Sequence, residues 1–344
     1  ALSWRQLHRH GVPCAPDSYQ DVSRRTVDLR TPAAASGWYH PRRVLLALPP
    51  PEGHCSARAP SVHWDDVPAP EDPGHPHEWV RVSIAKTTWN GERVPLISYT
   101  GLADVPVKMR GAVSFGGKAV YRFENLWLDN KLQIENGAAQ LVNCAARHLM
   151  VSTADQQALV IEARGCLFKR LQAARGRVAL EYVTVLDSLV AERLEASDCI
   201  LLPPLHKDLI DDDVPEAGCI RFSRLFHLPA APDPSDPDLV TDPVWVAQGR
   251  RSALRVHERS CTTAPALFWS GTFGQPGCGV LHPLAHERLQ SGAEDGGEMG
   301  GCHDLRHVLR RRAVQDKLGE FLPVGIEAVL VFDRTLACAP PVPT

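Results

Sequence analysis

Short apolar segments recur through the middle of this chain at a spacing near 19 residues, and that repeat constrains the fold more than any other feature. Phe123, Ile161 and Leu180 are each followed by a glutamate (Glu124, Glu162, Glu181) and, five positions on, by Leu128, Cys166 or Val185. The three anchors are 38 and 19 residues apart. A weaker copy falls at Leu141 or Val142, with Ala146 in the second apolar position, and a further one, Leu194-Glu195, closes early at Cys199. A unit this short cannot bury an apolar face alone, whereas a stack of units covers each face with the next. Strand-length runs of Val, Leu and Cys without helical phase make the stack a β-solenoid. The expected architecture is mainly β: a right-handed parallel β-helix with an irregular N-terminal β cap and a small C-terminal α+β element.

The boundaries follow from proline and glycine. Residues 1–104 are proline-rich, and Pro49-Pro50-Pro51 cannot donate ladder hydrogen bonds. Strands are expected there at 44–48 and 80–84, with Trp64, Trp79, Trp89 and Tyr99 anchoring a cap and docking region. A solenoid needs such a cap because its end rung leaves apolar surface and strand edges open. Rungs are expected over 105–228, with 111–120 and 219–225 as flanking additions, and each adds about 4.8 Å of height. Residues 229–262 read as an insertion. In 263–344, Leu305, Val308, Leu309, Val314, Leu318, Phe321 and Leu322 fall largely on one helical face, Pro323 stops the helix, and 326–332 reads as a strand.

A net charge of −3 argues against a general nucleic-acid binder, which needs a basic face. The clusters at Arg250-Arg251 and Arg310-Arg311-Arg312 are short and read as solvated faces. No apolar run reaches the roughly 18 residues of a membrane span, and the first residues lack a signal-peptide pattern. The ten cysteines include no CxxC pair. Cys144, Cys166 and Cys199 fall at rung positions, where a reduced thiol packs as a small hydrophobe, so a cytoplasmic location is expected.

Three constellations carry candidate chemistry. His282 and His286 stand four apart and could hold zinc with Glu298, Cys302 or His303. The order is not HExxH, and Pro283 leaves room for only a short helix, so capping histidines are the plainer reading. The stretch Gly292 to Gly301 sets Glu294, Asp295 and Glu298 among five glycines with Met299; its Gly292, Gly296 and neighbours permit close backbone approach. It suits a clamp on a neighbouring backbone or on the following helix, and its residues are the candidate partner contacts. Asp304 with Glu298 is a weaker acid/base pair. Glu124, Glu162, Glu181 and Glu195 recur at one rung position and would stack as a carboxylate ladder. Such a ladder is either a solvated edge matched by Arg164 and Arg193 or a cation-binding face. The triplet Asp211-Asp212-Asp213 lacks the spacing of a calcium loop. GxSxG, P-loop and GxGxxG signatures are absent, so neither a catalytic residue nor a cofactor is expected.

The rungs are followed by Cys219-Ile-Arg-Phe-Ser-Arg-Leu225, Phe273-Gly-Gln-Pro-Gly-Cys278 and Gly292-Ala-Glu-Asp-Gly-Gly-Glu-Met-Gly300. Together these resemble an uncharacterised bacterial β-helix family associated with phage-tail-like contractile injection systems. The resemblance covers 105–332, and the Gly292–Gly300 stretch is its most specific part. It departs where aromatic residues would be expected, at Cys278 and at Gly301-Cys302. It implies a bacterial structural component that docks on other protein subunits, such as those of a baseplate, and that can leave the cytoplasm within a released particle. The alternative is a glycan-binding or polysaccharide-cleaving β-helix. Trp127, the lone Trp of the rungs, weighs against it.

Overall fold

Alternating side chains and repeated corners turn the central sequence into a three-sided stack. The computed structural model describes residues 25–26, 37–39, 63–64, 80–101, 107–109, 113–206, 215–225, 253–256, 260, 264–275, 277–322 and 326. Expectations at 44–48, Trp79, Asp211-Asp212-Asp213 and 327–332 lie outside these residues. Three short strands, β1 (Arg25–Thr26), β2 (Gly37–Tyr39) and β3 (His63–Trp64), precede a regular antiparallel hairpin of β4 (Val80–Trp89) and β5 (Glu92–Thr100). The solenoid strands follow: β6 (Val107–Met109), β7 (Val113–Gly116), β8 (Val120–Glu124), β9 (Leu126–Glu135), β10 (Ala138–Val142) and β11 (Ala145–Ser152). The 39-residue β12 (Leu159–Ser197) winds on through successive corners, and β13 (Ile200–Leu201), β14 (Leu205–His206), β15 (Ala217–Arg221) and β16 (Ala253–Val256) complete the stack. It makes a parallel β-solenoid of about 5 turns.

Each side of the stack is a parallel ladder. Side one runs from β5 through β8 and β10 into β12, and leaves it through β15 and β16. Side two joins β6, the start of β9, the start of β11, and β12, which later meets β13. Side three joins β7 to the remainder of β9, β11 and β12, then β14. The stack therefore begins at Leu96, ahead of the expected boundary at 105. It also continues in β16, inside the segment expected to be an insertion.

One corner is built the same way in every rung. Asn125, Asn143, Gly165, Tyr182, Asp198 and Phe222 all have positive φ, between 48° and 61°, and all link side one to side two. Asn, Asp and Gly accept this left-handed conformation readily; Tyr and Phe do so only under constraint. The corners set the true register. Phe123 pairs with Leu141, and Leu141 with Ala163. Ile161 lies opposite Ala139, two residues ahead of the column that the 19-residue repeat assigned to it. The longer rung accommodates an exposed turn around Asp155 and Gln157. A two-residue slip leaves every side chain on its own face of a strand, so the apolar pattern does not betray it.

The inner core starts aromatic and becomes aliphatic. Tyr99 and Phe123 stack with centroids 5.2 Å apart, and Phe115 stacks on Tyr121 at 4.6 Å. Each such side chain removed from water contributes roughly 1.5–3 kcal/mol. After four of the six corners comes a small hydrogen-bonding residue, with Leu126 and Val183 at the other two. Cys144, Cys166 and Cys199 donate their thiols to the carbonyls of Val142, Arg164 and Ser197 at 3.1–3.3 Å. Ser223 donates to Arg221 in the same way at 2.7 Å. In return, Cys166 Sγ accepts from the backbone N–H of Cys144, and Ser223 Oγ from that of Cys199. All three thiols are free and buried.

The outward residues of side two, Trp127, Ala145, Leu167 and Ile200, form a second core with a C-terminal lobe. From the lobe come Phe268, Phe273, Val280, Leu289, Met299 and Leu305. The lobe carries α1 (Glu287–Ser291), a 3-10 turn (His303–Leu305) and α2 (His307–Phe321). Leu305 is buried, but α2 departs from the expected amphipathic packing: Leu309, Val314, Leu318 and Phe321 are exposed, Phe321 by 80%. No described helix is long and apolar enough to cross a membrane.

Candidate functional site

On side one the outward residues form an open cleft of about 590 Å3, with Arg122, Gln140, Glu162, Arg164, Glu181 and Arg221 among its lining. Two columns make its floor. Arg122, Gln140 and Glu162 are aligned in one, and Glu124, Val142 and Arg164 in the other. Glu181 directly precedes the corner residue Tyr182, as Glu124 precedes Asn125, so these two glutamates share a column position. Glu162 and Glu195 stand two residues earlier, Glu195 opposite Cys219. This corrects the single carboxylate ladder. Like charges directly opposite one another are destabilising, and the register interposes partners instead. Gln140 donates to Glu162 at 3.0 Å, while Arg122, Arg164 and Arg177 lie 3.4–3.7 Å from Glu124, Glu181 and Glu195. These exposed pairs are each worth about 0–1 kcal/mol. The cleft offers donors and acceptors to an extended polar chain, and none of its described lining residues is aromatic.

The glycine-rich stretch lies on the corner between sides one and two. Glu294 N–H donates to the Asp198 carboxylate at 2.6 Å, Gly300 N–H to the Asp198 carbonyl at 2.8 Å, and Gly301 N–H to Thr184 Oγ1 at 3.0 Å. His303 stacks on Tyr182 with centroids 3.9 Å apart. Its Nδ1 is 2.8 Å from the Glu298 carbonyl and its Nε2 3.1 Å from the Asp295 carboxylate. Of the candidate partner contacts, Glu294, Asp295 and Gly296 are exposed. Glu298 and Met299 are buried, and Gly292 caps α1. Close approach explains the glycines here: a Cβ on Gly301 would overlap the Cys166 carbonyl, and one on Gly300 would sit 2.5 Å from Thr184 Oγ1.

His282 and His286 do not share a helical face, because α1 begins only at Glu287. His282 is buried, and its Nδ1 accepts from Leu284 N–H at 3.1 Å. His286 is exposed and caps α1, its Nδ1 accepting from Arg288 N–H. These local bonds commit the Nδ1 of each imidazole to turn formation. Among the described residues no group of three His, Cys, Asp or Glu is placed to hold a metal ion.

A second pocket, about 250 Å3, lies between α2 and the lobe and brings together residues that the sequence leaves scattered. Trp269, His282, Glu298, His307, Arg310 and Arg311 all line it. Glu298 is 2% exposed; Oε1 accepts from His307 N–H at 3.4 Å, while Oε2 has no hydrogen-bond partner. Burial pushes its carboxyl up to about 8, against the His307 N–H and the charges of Arg310 and Arg311. At neutral pH it is therefore a carboxylic acid. Asp304, its expected acid/base companion, is exposed. Sequence reasoning singled out Glu298 and His282 but missed Trp269, Arg311 and His307, which reach the pocket only through the turn before α1 and the packing of α2. No family model matches the chain, no curated protein matches it, and no solved structure matches its fold.

Proposed function

We propose that the chain is a scaffold component of a bacterial phage-tail-like particle or a similar multi-protein assembly, acting by docking on other subunits. The observation that carries this reading is α2. Its lobe is fastened to a stiff parallel stack, yet Leu309, Val314, Leu318 and Phe321 face solvent beside the exposed Arg310 and Arg312. Val314, Leu318 and Phe321 share one arc of α2, and displayed this way they fit a partner subunit that offers an apolar groove with an acidic rim. The solenoid supplies the rigid mount.

The test is co-purification from cells that assemble such particles, with mass-spectrometric identification of bound subunits. Sheath, tube or baseplate subunits recovered with the native chain, and lost with Leu318→Asp/Phe321→Asp, support the reading. A monomer that instead releases unsaturated oligosaccharides from a polyuronate overturns it. That second reading, a glycan-handling β-helix, is favoured by one observation, the 590 Å3 cleft of paired Arg and Glu on side one.

A further inference from the structure

We propose that the pocket between α2 and the lobe is a binding site for a small carboxylate with an apolar body, its oxygens held by Glu298, His282 and Arg311. The site shares Val314 and Arg310 with the docking face of α2, but the residues that hold the ligand, Glu298, His282 and Arg311, are not part of that face. Three of the site's polar side chains can donate to an oxyanion. His282 Nδ1 is occupied as an acceptor from Leu284 N–H, so the neutral ring carries its proton on Nε2. Arg311 is held in place by Gln290 Oε1 at 2.8 Å, and Gln290 in turn donates to the carbonyls of Pro283 and Ala285. Glu298 is buried with Oε2 unpartnered, and in its acid form that oxygen is a donor in want of an acceptor. An unpartnered buried polar atom is costly, and an incoming oxyanion relieves that cost.

The walls select the rest of the ligand. Leu281, Pro283, Val308 and Val314 are apolar, and Trp269 lies tilted against His282 with centroids 4.6 Å apart. At about 250 Å3 the space falls below the ~300–1,000 Å3 of pockets that hold drug-sized molecules. A branched or aromatic acid of modest size fits this combination. A cation is disfavoured, because Arg310 and Arg311 both line the pocket.

Phenylacetate titrated into the full chain, followed by Trp fluorescence and calorimetry, tests the site, with phenylacetamide and inorganic phosphate as controls. Phenylacetate is expected to bind at least tenfold more tightly than either control. Glu298→Ala and Arg311→Met should each weaken it tenfold or more, while Glu298→Gln, whose amide still donates, stays within about threefold. Circular dichroism checks that the variants fold. For the native chain alone, affinity should fall as pH rises from 6.5 to 9.5 and Glu298 ionises among His282, His307, Arg310 and Arg311. Equal binding of acid and amide, no binding at 10 mM, or affinity unchanged by pH overturns the proposal.

Discussion

Asp198 and Glu294 are separated by 96 positions in the chain and joined by a 2.6 Å hydrogen bond, from the Glu294 N–H to the Asp198 carboxylate. Asp198 is also a corner residue at φ 59°, is 2% exposed, and accepts Gly300 N–H on its own carbonyl. One residue thus turns the solenoid and fastens the lobe to it. Asp198→Ala should cost about 2–4 kcal/mol, from a lost charge-assisted bond plus left-handed strain. Asp198→Asn tolerates the same φ and keeps an acceptor oxygen, so it should stay within about 1 kcal/mol. Urea midpoints decide it: an Ala variant as stable as the native chain would remove Asp198 from this role.

Two glycines of the same stretch separate contact from conformation. Gly301 lies against the Cys166 carbonyl with no room for a methyl group, whereas Gly296, at φ 76°, has nothing within 4 Å of an added Cβ. Gly301→Ala should push the lobe from side two and expose Trp127 and Leu167, raising amide exchange across both. Gly296→Ala should cost only about 1 kcal/mol, the strain of its φ. Similar exchange in the two variants would mean that the lobe does not depend on this approach.

The fold was largely legible in the sequence, because apolar alternation at short, repeated intervals has few solutions other than a parallel stack. Its register was not. Ile161 and Ala163 both point inward and Glu162 and Arg164 both outward, so the pattern cannot tell one pair from the other. The decisive mark was the corner, visible only as Asn125, Asn143, Gly165 and Asp198, and hidden where Tyr182 and Phe222 take the same conformation. Of the site, the glycine-rich stretch was readable as a clamp from its composition. The Glu298 pocket was not, since Trp269 and Arg311 are brought to it by packing rather than by spacing.

The cysteines after the corners do more than fill space. Cys166 Sγ accepts the Cys144 N–H and donates to the Arg164 carbonyl, the role that Ser223 plays one corner beyond Cys199. Cys166→Ser should therefore fold with a loss of about 1 kcal/mol or less. Cys166→Val fills the space but orphans a buried N–H, at about 1–3 kcal/mol. A Val variant more stable than the Ser variant in urea would return the position to plain apolar packing.

Glu298 gives the chain a pH dependence of calculable sign. Its folded value of about 8 exceeds the 4.5 of an ordinary glutamic acid, so the native state binds the extra proton. Its contribution is fully present below about pH 4.5 and is lost as pH rises to about 8. Glu298→Gln cannot ionise, so it should match the native chain near pH 4.5 and become the more stable of the two toward pH 9. The expected gain there is on the order of 1–3 kcal/mol. Taking the difference between the two proteins cancels the titration of His282, His307 and every other shared group. Urea midpoints at pH 4.5, 6, 7.5 and 9 should trace a gap that opens with pH and flattens above 8. A constant gap would mean that Glu298 is ionised throughout and that the pocket floor is not a neutral acid.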